Sequence, residues 1–323
     1  MTTLLFTHPS GIEHDPGPGH PERPDRLRAV LKALGEEDFT GLVRREAPRA
    51  TVGQIARAHD RGYVEALLAA VPEEGWVGID PDTVMCPESG EAALRAAGAI
   101  VSAVDAVVAG EAETAFCAVR PPGHHAEAGR GMGFCLFNNV AIGALHARAA
   151  HGIGRVAIVD FDVHHGNGTQ AMFEDEPAVL FASTHQYPFY PGTGAADETG
   201  HGAGRGFTVN VPLPAGTGDR KFLDAIERTL FVHAAQFAPD IIILSAGFDA
   251  HTDDRLAGLC VSTSAFAAAS RLVCECAREV CGGRVVSVLE GGYNLSALAE
   301  SVSVHVRTLL EFADIDLMQA GTT

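Results

Sequence analysis

The sequence predicts a single α/β domain built around a mostly parallel β-sheet. Short, almost wholly apolar β-rich runs recur along the chain, alanine-rich amphipathic segments lie between many of them, and no linker or internal repeat divides them. Such apolar runs are typical of strands buried on both faces, and their alternation with helices favours parallel connections. With 323 residues, 46% of them hydrophobic, the chain can bury a substantial core.

Seven segments are predicted as strands and four as helices. The predicted strands are residues 3–7, 114–119, 156–160, 179–183, 207–211, 241–245 and 285–289. The predicted helices are residues 90–108, 140–150, 220–237 and 264–280. Residues 9–24 and 187–206 are predicted as functional surface loops, because long connections in compact domains usually carry function.

The overall charge bears on the kind of partner. Lys and Arg number 23 against 41 Asp and Glu, a formal charge of -18, which argues against nucleic acid or an anionic membrane and favours a cationic substrate. The alternative is that the acidity only keeps the protein soluble.

The seven cysteines include no CxxC pair, so neither a disulfide framework nor a thiolate zinc site is indicated. No run has the apolar length of a membrane span, and a cytoplasmic protein is expected.

Polar residues that are unusual for a core follow five of the predicted strands. They occupy residues 120–125, 160–165, 183–185, 246–251 and 290–294. In open parallel sheets, ligands bind beyond the carboxyl ends of the strands. The sequence therefore predicts a functional site at this edge of the sheet.

The strongest single motif is DFDVHHGNG, residues 160–168. In an extended segment Asp160, Asp162 and His164 would share one side, so that carboxylate and imidazole could converge on one cation. The alternative is that the acids cap a following helix and the histidines are polar loop residues. An isolated Asp-x-His would favour that alternative, because two ligands cannot define a site.

Asp249, in the SAGFDAH segment after a very apolar strand, is a third candidate ligand. Two carboxylates and one histidine would leave an open position on zinc for water, as a catalytic site requires. Taken alone, Asp249 could equally be a turn residue.

Two adjacent histidines follow a pair of prolines in the RPPGHH segment. Neutral imidazole near a metal-activated water is the usual general base at physiological pH, which makes His124 and His125 candidates. They could also be a solvated surface pair or further metal ligands.

The EGGYN segment places Tyr293 directly after two glycines that allow the backbone to approach a ligand. A phenol can stabilise the oxyanion that develops when water attacks an amide carbonyl. Considered singly, Tyr293 is more often a packed aromatic residue with its hydroxyl at the surface.

Taken together, these motifs resemble the histone deacetylase family, in particular the bacterial class II-like members related to acetylpolyamine amidohydrolases and acetoin-utilisation deacetylases. The motifs RPPGHHA, GFCLFNN, DFDVHHGNGT, SAGFDAH and LEGGYN occur in this order between about Leu4 and Leu310. The resemblance implies the arginase-deacetylase fold, in which one catalytic domain (residues 1–323, core about 4–313, tail 314–323) surrounds an eight-stranded, mostly parallel sheet.

The resemblance also implies roles for the motif residues. Zinc would be bound by Asp162, His164 and Asp249. His125 would be the main general base and then acid, and His124, oriented by Asp160, would support the transition state electrostatically. Tyr293 would polarise the scissile carbonyl. Asn167 stands where some members have an aspartate paired with the second histidine, and an amide can orient His125 but cannot stabilise its cation as a carboxylate would.

The implied substrate is an acyl-lysine peptide or protein, or an acetylated polyamine, in a tunnel bordered by Phe134 and Tyr190. Gly133 and Gly291 would line its narrow part. Leu256 matches a rim position that is acidic in polyamine-selective relatives, which favours acyl-lysine, although Asp82, Asp253 and Asp254 are further candidates for the rim. Structural K⁺ ions are also implied, with candidate residues Asp160, Asp162, His164, Ser183 and Thr184 at one site and Phe173 and Phe207 at a second. A homo-oligomer, dimer or tetramer, is expected.

Three other classes of protein are alternatives to this interpretation. Arginase-like ureohydrolases need a second metal and further bridging carboxylates, whereas Phe161 and His165 flank the ligands here. Gly152-Ile153-Gly154 precedes a predicted strand, and GHGAGRG from Gly200 is better explained as a flexible loop, so a nucleotide-binding enzyme is disfavoured. A non-catalytic acyl-lysine or small-molecule binding protein has no support, because every implied catalytic residue is present.

Overall fold

The computed structural model describes residues 2–320 apart from 36 and 38, with side chains described up to residue 313. Its centre is an eight-stranded sheet in the order β2-β1-β5-β10-β9-β6-β7-β8, and every pairing in it is parallel. The predicted fold class is therefore confirmed.

The elements are numbered along the chain. The described strands are β1 Thr3–Thr7, β2 Leu42–Glu46, β3 Val77–Asp80, β4 Thr83–Met85, β5 Thr114–Cys117, β6 Val156–Asp160, β7 Val179–Gln186, β8 Thr208–Leu213, β9 Ile241–Ala246 and β10 Val285–Leu289. The described helices are α1 Ser10–Glu13, α2 Asp25–Ala33, α3 Val52–Ile55, α4 Arg61–Ala69, α5 Ser89–Val108, α6 Asn139–His151, α7 Asn167–Phe173, α8 Asp219–Arg228, α9 Ala235–Phe237, α10 Thr263–Cys281 and α11 Leu295–Ala320. Helix α11 runs into the segment predicted as a tail, whose residues 321–323 lie outside the described part of the chain.

Strand β2 was missed because its sequence, LVRRE, lacks an apolar run. It pairs with β1 alone at the edge of the sheet, and four of its five residues are exposed. An edge strand that faces water needs little apolar character, and charged side chains there also protect against pairing with other chains. The antiparallel pair β3 and β4 was missed as well, because both strands are short.

The predicted helix at residues 220–237 is not regular. Helix α8 ends at Arg228, a π-helical segment spans Thr229–Ala234, and α9 completes the connection. A π-helical turn inserts an extra residue without changing the apolar pattern in an obvious way, so periodicity could not reveal it.

The core lies on both faces of the sheet. On β1, Leu5 belongs to one buried cluster, which includes residues of α2, α8, α10 and α11, whereas Leu4 and Phe6 belong to the other, which includes residues of α5 and α6. Alternate side chains of a strand point to opposite faces, so a strand covered on both sides must be apolar throughout. No helix in the described part of the chain is both long and apolar enough to cross a membrane.

His305 of α11 is fully buried between α10 and β10. Ser270 Oγ donates to the carbonyl of Phe266, so His305 Nδ1 donates to Ser270 at 2.7 Å and His305 Nε2 accepts from Ser287 Oγ at 2.9 Å. This arrangement requires the neutral imidazole, which has one donor and one acceptor nitrogen. Burial lowers the pKa of His305 from 6.5 to about 3.

We expect His305 to make the protein sensitive to acid. The pKa of His305 is lower in the folded than in the unfolded state, so the unfolded chain binds the extra proton. The contribution of His305 to the free energy of unfolding is therefore complete above pH 6.5 and is lost as the pH falls toward 3. In this window His305→Gln should reduce the slope of unfolding free energy against pH by about 1.4 kcal/mol per pH unit. Denaturant titrations between pH 7.5 and 5 would measure it. Equal slopes for the two proteins would contradict this explanation.

Candidate active site

The site is assembled where β5, β6, β9 and β10, adjacent in the sheet, reach their carboxyl ends. Asp160 is the last residue of β6, and its Oδ1 accepts the backbone N–H of Asp162 at 3.1 Å. Asp249, after β9, accepts the N–H of Val163 at 2.9 Å. The N–H of Gly291, after β10, donates to Asp162 Oδ2 at 2.8 Å. These bonds fix the carboxylates of two loops against each other and against the backbone of a third.

Asp162, His164 and Asp249 form a group that could hold a metal ion. Their donor atoms lie within 4.8 Å of one another, and all three side chains are buried. His164 Nδ1 is 3.0 Å from Asp162 Oδ1 and 3.2 Å from Asp249 Oδ2. Asp249 Oδ2 has no hydrogen-bond partner among the described residues. A buried carboxylate oxygen without a donor is costly, and a cation would remove that cost.

The pKa values within this group reflect the same shortage of positive charge. Burial favours the neutral imidazole, but the nearby carboxylates of Asp162 and Asp249 raise the pKa of His164 to about 10. Burial and the charge of Asp162 raise the pKa of Asp249 to about 6. Asp162 also loses hydration by burial, yet the charge of His124 and contact with His164 hold its pKa well below the usual range. The donor set of two carboxylates and one imidazole fits zinc, which takes oxygen and nitrogen ligands.

Two glycines allow the backbone to touch the carboxylates. A Cβ on Gly247 would lie 2.0 Å from Asp162 Oδ2, and one on Gly291 would lie 2.0 Å from Asp249 Oδ2. Any side chain at either position would therefore displace a carboxylate. The structure places the predicted residue Gly291 directly beside the candidate metal-binding group.

His124 and His125 lie against each other, with ring centroids 4.0 Å apart, and differ in their partners. His124 Nδ1 donates to Asp160 Oδ2 at 3.0 Å, and His125 Nδ1 donates to Asn167 Oδ1 at 2.8 Å. Burial opposes the charged form of both rings. The charges of Asp160 and Asp162 nevertheless raise the pKa of His124 to about 10, whereas burial and the nearby His124 and His164 cations lower that of His125 well below 6.5. When the surroundings of two titratable groups drive their pKa values apart, the two groups are suited to different roles in proton transfer.

Two carboxylates that orient these histidines were missed from the sequence. Glu290 Oε2 accepts the backbone N–H groups of Gly123 and His124 at 2.7 and 3.2 Å. Glu127 Oε1 accepts from Asn167 Nδ2 at 3.1 Å, so a carboxylate lies behind the amide that holds His125. Glu290 stands inside the EGGYN motif, which could have drawn attention to it, but Glu127 carries no sequence signal.

Tyr293 is anchored through its backbone and its ring. Its N–H donates to Asp254 Oδ2 at 2.6 Å, and the guanidinium carbon of Arg26, a residue missed from the sequence, lies 4.8 Å from its ring centroid. Burial, with further effects from Asp249, raises the pKa of the Tyr293 phenol well above 10, so the hydroxyl keeps its proton. Asp254 Oδ1 also accepts the N–H of Leu256 at 3.0 Å, which ties the predicted rim residue to the tyrosine loop.

The two predicted aromatic residues each contact a different member of the site. Phe134 meets Tyr293 edge-on with centroids 5.9 Å apart, and Tyr190 meets His125 edge-on at 5.2 Å. Gly133 and Phe134 are both left-handed, with φ of 56° and 69°. A Cβ on Gly133 would lie 2.5 Å from His125 Cδ2, so only glycine allows this approach. Phe189, missed from the sequence, stacks on His164 with centroids 5.4 Å apart.

The acidic candidates for the rim separate into different environments. Asp254 is only 5% exposed and accepts backbone N–H groups, so it supports the Tyr293 loop. Asp253 is exposed, with a side-chain exposure of 69%. Asp82 is partly exposed beside Thr83, whose hydroxyl accepts the N–H of Phe134 at 3.0 Å.

The residues implied for potassium are partly brought together. Asp160 and Ser183 are register partners on β6 and β7, and Thr184 Oγ1 is buried without a hydrogen-bond partner among the described residues. The carbonyls of Phe173 and Phe207 accept backbone N–H groups from Glu176 and Phe181.

Comparison with known proteins identifies a family to which the sequence and the fold are similar. The histone deacetylase domain family matches residues 20–309. The chain is 40% identical to histone deacetylase 14, chloroplastic, of Arabidopsis thaliana, over 95% of this chain and 76% of that protein. It is 39% identical to the histone deacetylase-like amidohydrolase of Pseudomonas aeruginosa, over 85% of this chain and 73% of that protein.

Two further matches extend the comparison. The human polyamine deacetylase HDAC10 is 39% identical over 90% of this chain and 44% of its own length. The crystal structure of the HDA15 HD domain superposes with a TM-score of 0.90 and 37% identity, covering 96% of this chain and 89% of that one. Fold and sequence agree, and the chain belongs to the histone deacetylase family of deacetylases and amidohydrolases.

Proposed function

We propose that this protein hydrolyses the amide of acylated lysine side chains, acetyl-lysine first, releasing the carboxylate and the free amine in a zinc-dependent reaction. The observation that carries the proposal is the unpartnered Asp249 Oδ2, buried beside His164 and close to two histidines whose pKa values lie far apart. The family is zinc-dependent, and the relative named as an amidohydrolase supports cleavage of an amide.

Asp162, His164 and Asp249 would hold the zinc ion. When bound, zinc polarises the amide carbonyl and makes water acidic enough to supply the nucleophile near neutral pH. The two carboxylates balance the charge of a divalent cation. Gly247 and Gly291, which have no Cβ, leave the space that both carboxylates occupy.

His125 serves as the general base and then as the general acid. Its Nδ1 donates to Asn167, so its Nε2 carries a lone pair that accepts the proton of the attacking water. His125 then returns this proton to the leaving amine. The hydrogen bond from His124 to Asp160 favours the cationic form of His124, whose charge would stabilise the developing oxyanion.

Tyr293 donates its hydroxyl to the oxyanion. A phenol whose pKa lies well above 10 stays protonated throughout the working pH range. Phe134 and Tyr190 would flank the methylene chain of the acylated side chain, with Gly133 and Gly291 at the narrow part, because flat rings pack well against an extended alkyl chain.

The first experiment compares acetate release from an acetyl-lysine peptide and from acetylated putrescine or spermidine. We expect the peptide to be the faster substrate. Leu256→Glu should shift the ratio of kcat/KM toward the polyamine by about tenfold, the factor given by ~1.4 kcal/mol of added attraction to a cationic substrate. Val232→Glu adds the same charge at an exposed aliphatic position before β9 and should leave the ratio unchanged.

A second candidate function is deacetylation of acetylpolyamines, which the relative named polyamine deacetylase favours. Faster polyamine turnover by the unchanged protein would support it and would show that Leu256 does not set selectivity. Potassium at the Asp160 and Ser183 site, a homo-oligomeric state and a cytoplasmic location stay predictions.

A further inference from the structure

A second cluster of side chains that could bind a metal ion lies at the amino-terminal ends of the strands, on the opposite side of the sheet from the active site. Asp105 of α5 and His146 and His151 of α6 place their donor atoms within 4.8 Å of one another. Helices α5 and α6 end shortly before β5 and β6 begin, so the cluster lies where the strands start. The active site lies where the strands end.

Both imidazoles form a hydrogen bond with the same carboxylate oxygen of Asp105. His146 Nε2 and His151 Nε2 each lie 2.6 Å from Asp105 Oδ1, and their ring centroids are 5.6 Å apart. Burial opposes the charged carboxylate, but the hydrogen bonds from the two histidines lower the pKa of Asp105, so it is ionised at neutral pH. Two imidazole nitrogens therefore meet at one ionised carboxylate oxygen.

We propose that Asp105, His146 and His151 bind a divalent transition-metal ion of the zinc type, separate from the catalytic centre. Zinc takes such nitrogen and oxygen donors, with water completing the coordination. His146 is buried, whereas the side chains of His151 and Asp105 are 26% and 48% exposed, which gives an ion a path from solvent. The charge of -18 also raises the local concentration of cations.

Arg57 opposes this binding. Its Nη1 donates to His146 Nδ1, which places the imidazole proton on Nε2, the atom that would bind the metal. Metal binding moves that proton to Nδ1, where it faces the guanidinium, so Arg57 must turn aside. Arg57 is exposed and free to do so. Arg57→Gln would offer an amide oxygen to the Nδ1 proton and should tighten binding about tenfold, the usual scale of such supporting contacts.

The ion would connect two helices that cover one face of the sheet. Since the three ligands come from α5 and α6, an ion that binds the folded chain stabilises it by mass action. The second ion should therefore raise the melting temperature without contacting the active site.

The test is equilibrium dialysis of the full-length protein against buffered free Zn²⁺, with bound zinc measured by mass spectrometry. The unchanged protein should bind one more zinc ion per chain than His151→Gln. His201→Gln removes an exposed histidine that pairs with Glu174 elsewhere and should bind as the unchanged protein does. Arg57→Gln should reach half-saturation at about tenfold lower free zinc.

Equal zinc contents of the unchanged protein and His151→Gln would overturn the proposal. So would a zinc-induced rise in melting temperature that persists unchanged in His151→Gln. The comparison does not depend on the catalytic metal, because both proteins keep Asp162, His164 and Asp249. If the catalytic site fails to bind zinc, both totals fall equally and the difference between them remains.

Discussion

Asp249→Asn should reduce amide hydrolysis to the level of a control without enzyme and should lower zinc content. The asparagine can still accept the N–H of Val163 through Oδ1, so the loop keeps the 2.9 Å hydrogen bond that positions it. Its Nδ2 then replaces Oδ2, the oxygen without a partner, and puts two N–H donors where a metal ligand needs a lone pair. Zinc content and acetate release measured on the same samples would test this.

The matched control for Asp249→Asn is Asp253→Asn. Asp253 lies four residues further along the same loop, with a side-chain exposure of 69%, so the same chemical change should leave both measurements unaltered. In the unchanged protein a chelator should abolish turnover, and added zinc should restore it. Full activity of Asp249→Asn, or activity that survives complete removal of metal, would contradict the proposed function.

Tyr293→Phe should lower kcat by about 10² to 10³, the usual effect of removing one oxyanion donor. Phenylalanine keeps the ring beside Phe134 and Arg26, and the backbone N–H still reaches Asp254. The only group lost is the hydroxyl, which interacts with negative charge that develops in the transition state. Substrate binding should therefore change far less than turnover.

Steady-state kinetics and equilibrium binding of the substrate peptide would separate these two quantities. Tyr190→Phe provides the matched control, because it removes a hydroxyl from the aromatic residue that meets His125 but keeps the ring. We expect little change in kcat there. A Tyr293→Phe protein with unchanged turnover would exclude the oxyanion role.

The sequence was most informative where the chemistry is local. Asp160, Asp162 and His164 occupy one short segment, and their alternate spacing predicted a shared side that the hydrogen bonds among them now show. Asp249 was ambiguous alone, because a turn residue and a ligand look the same in one segment. The adjacency of β10, β9 and β6 brings their loops together.

The missed features share a different physical cause, since each depends on what surrounds a residue. Strand β2 is polar because it pairs on one side only. Asp254, a candidate for the rim of the tunnel, is buried, and three backbone N–H groups donate hydrogen bonds to its carboxylate. Glu127 supports Asn167 across a distance of 40 positions in the chain, which no local pattern records.

By itself the sequence therefore determined the α/β class and predicted the edge of the sheet that carries the candidate site and the residue types at its centre. These follow from apolar periodicity and from motifs confined to single loops. Only the tertiary structure decided which partner faces each histidine. His124 and His125 are neighbours in the chain, yet Asp160 faces one and Asn167 the other, because partners delivered by other segments set the charge of a buried imidazole.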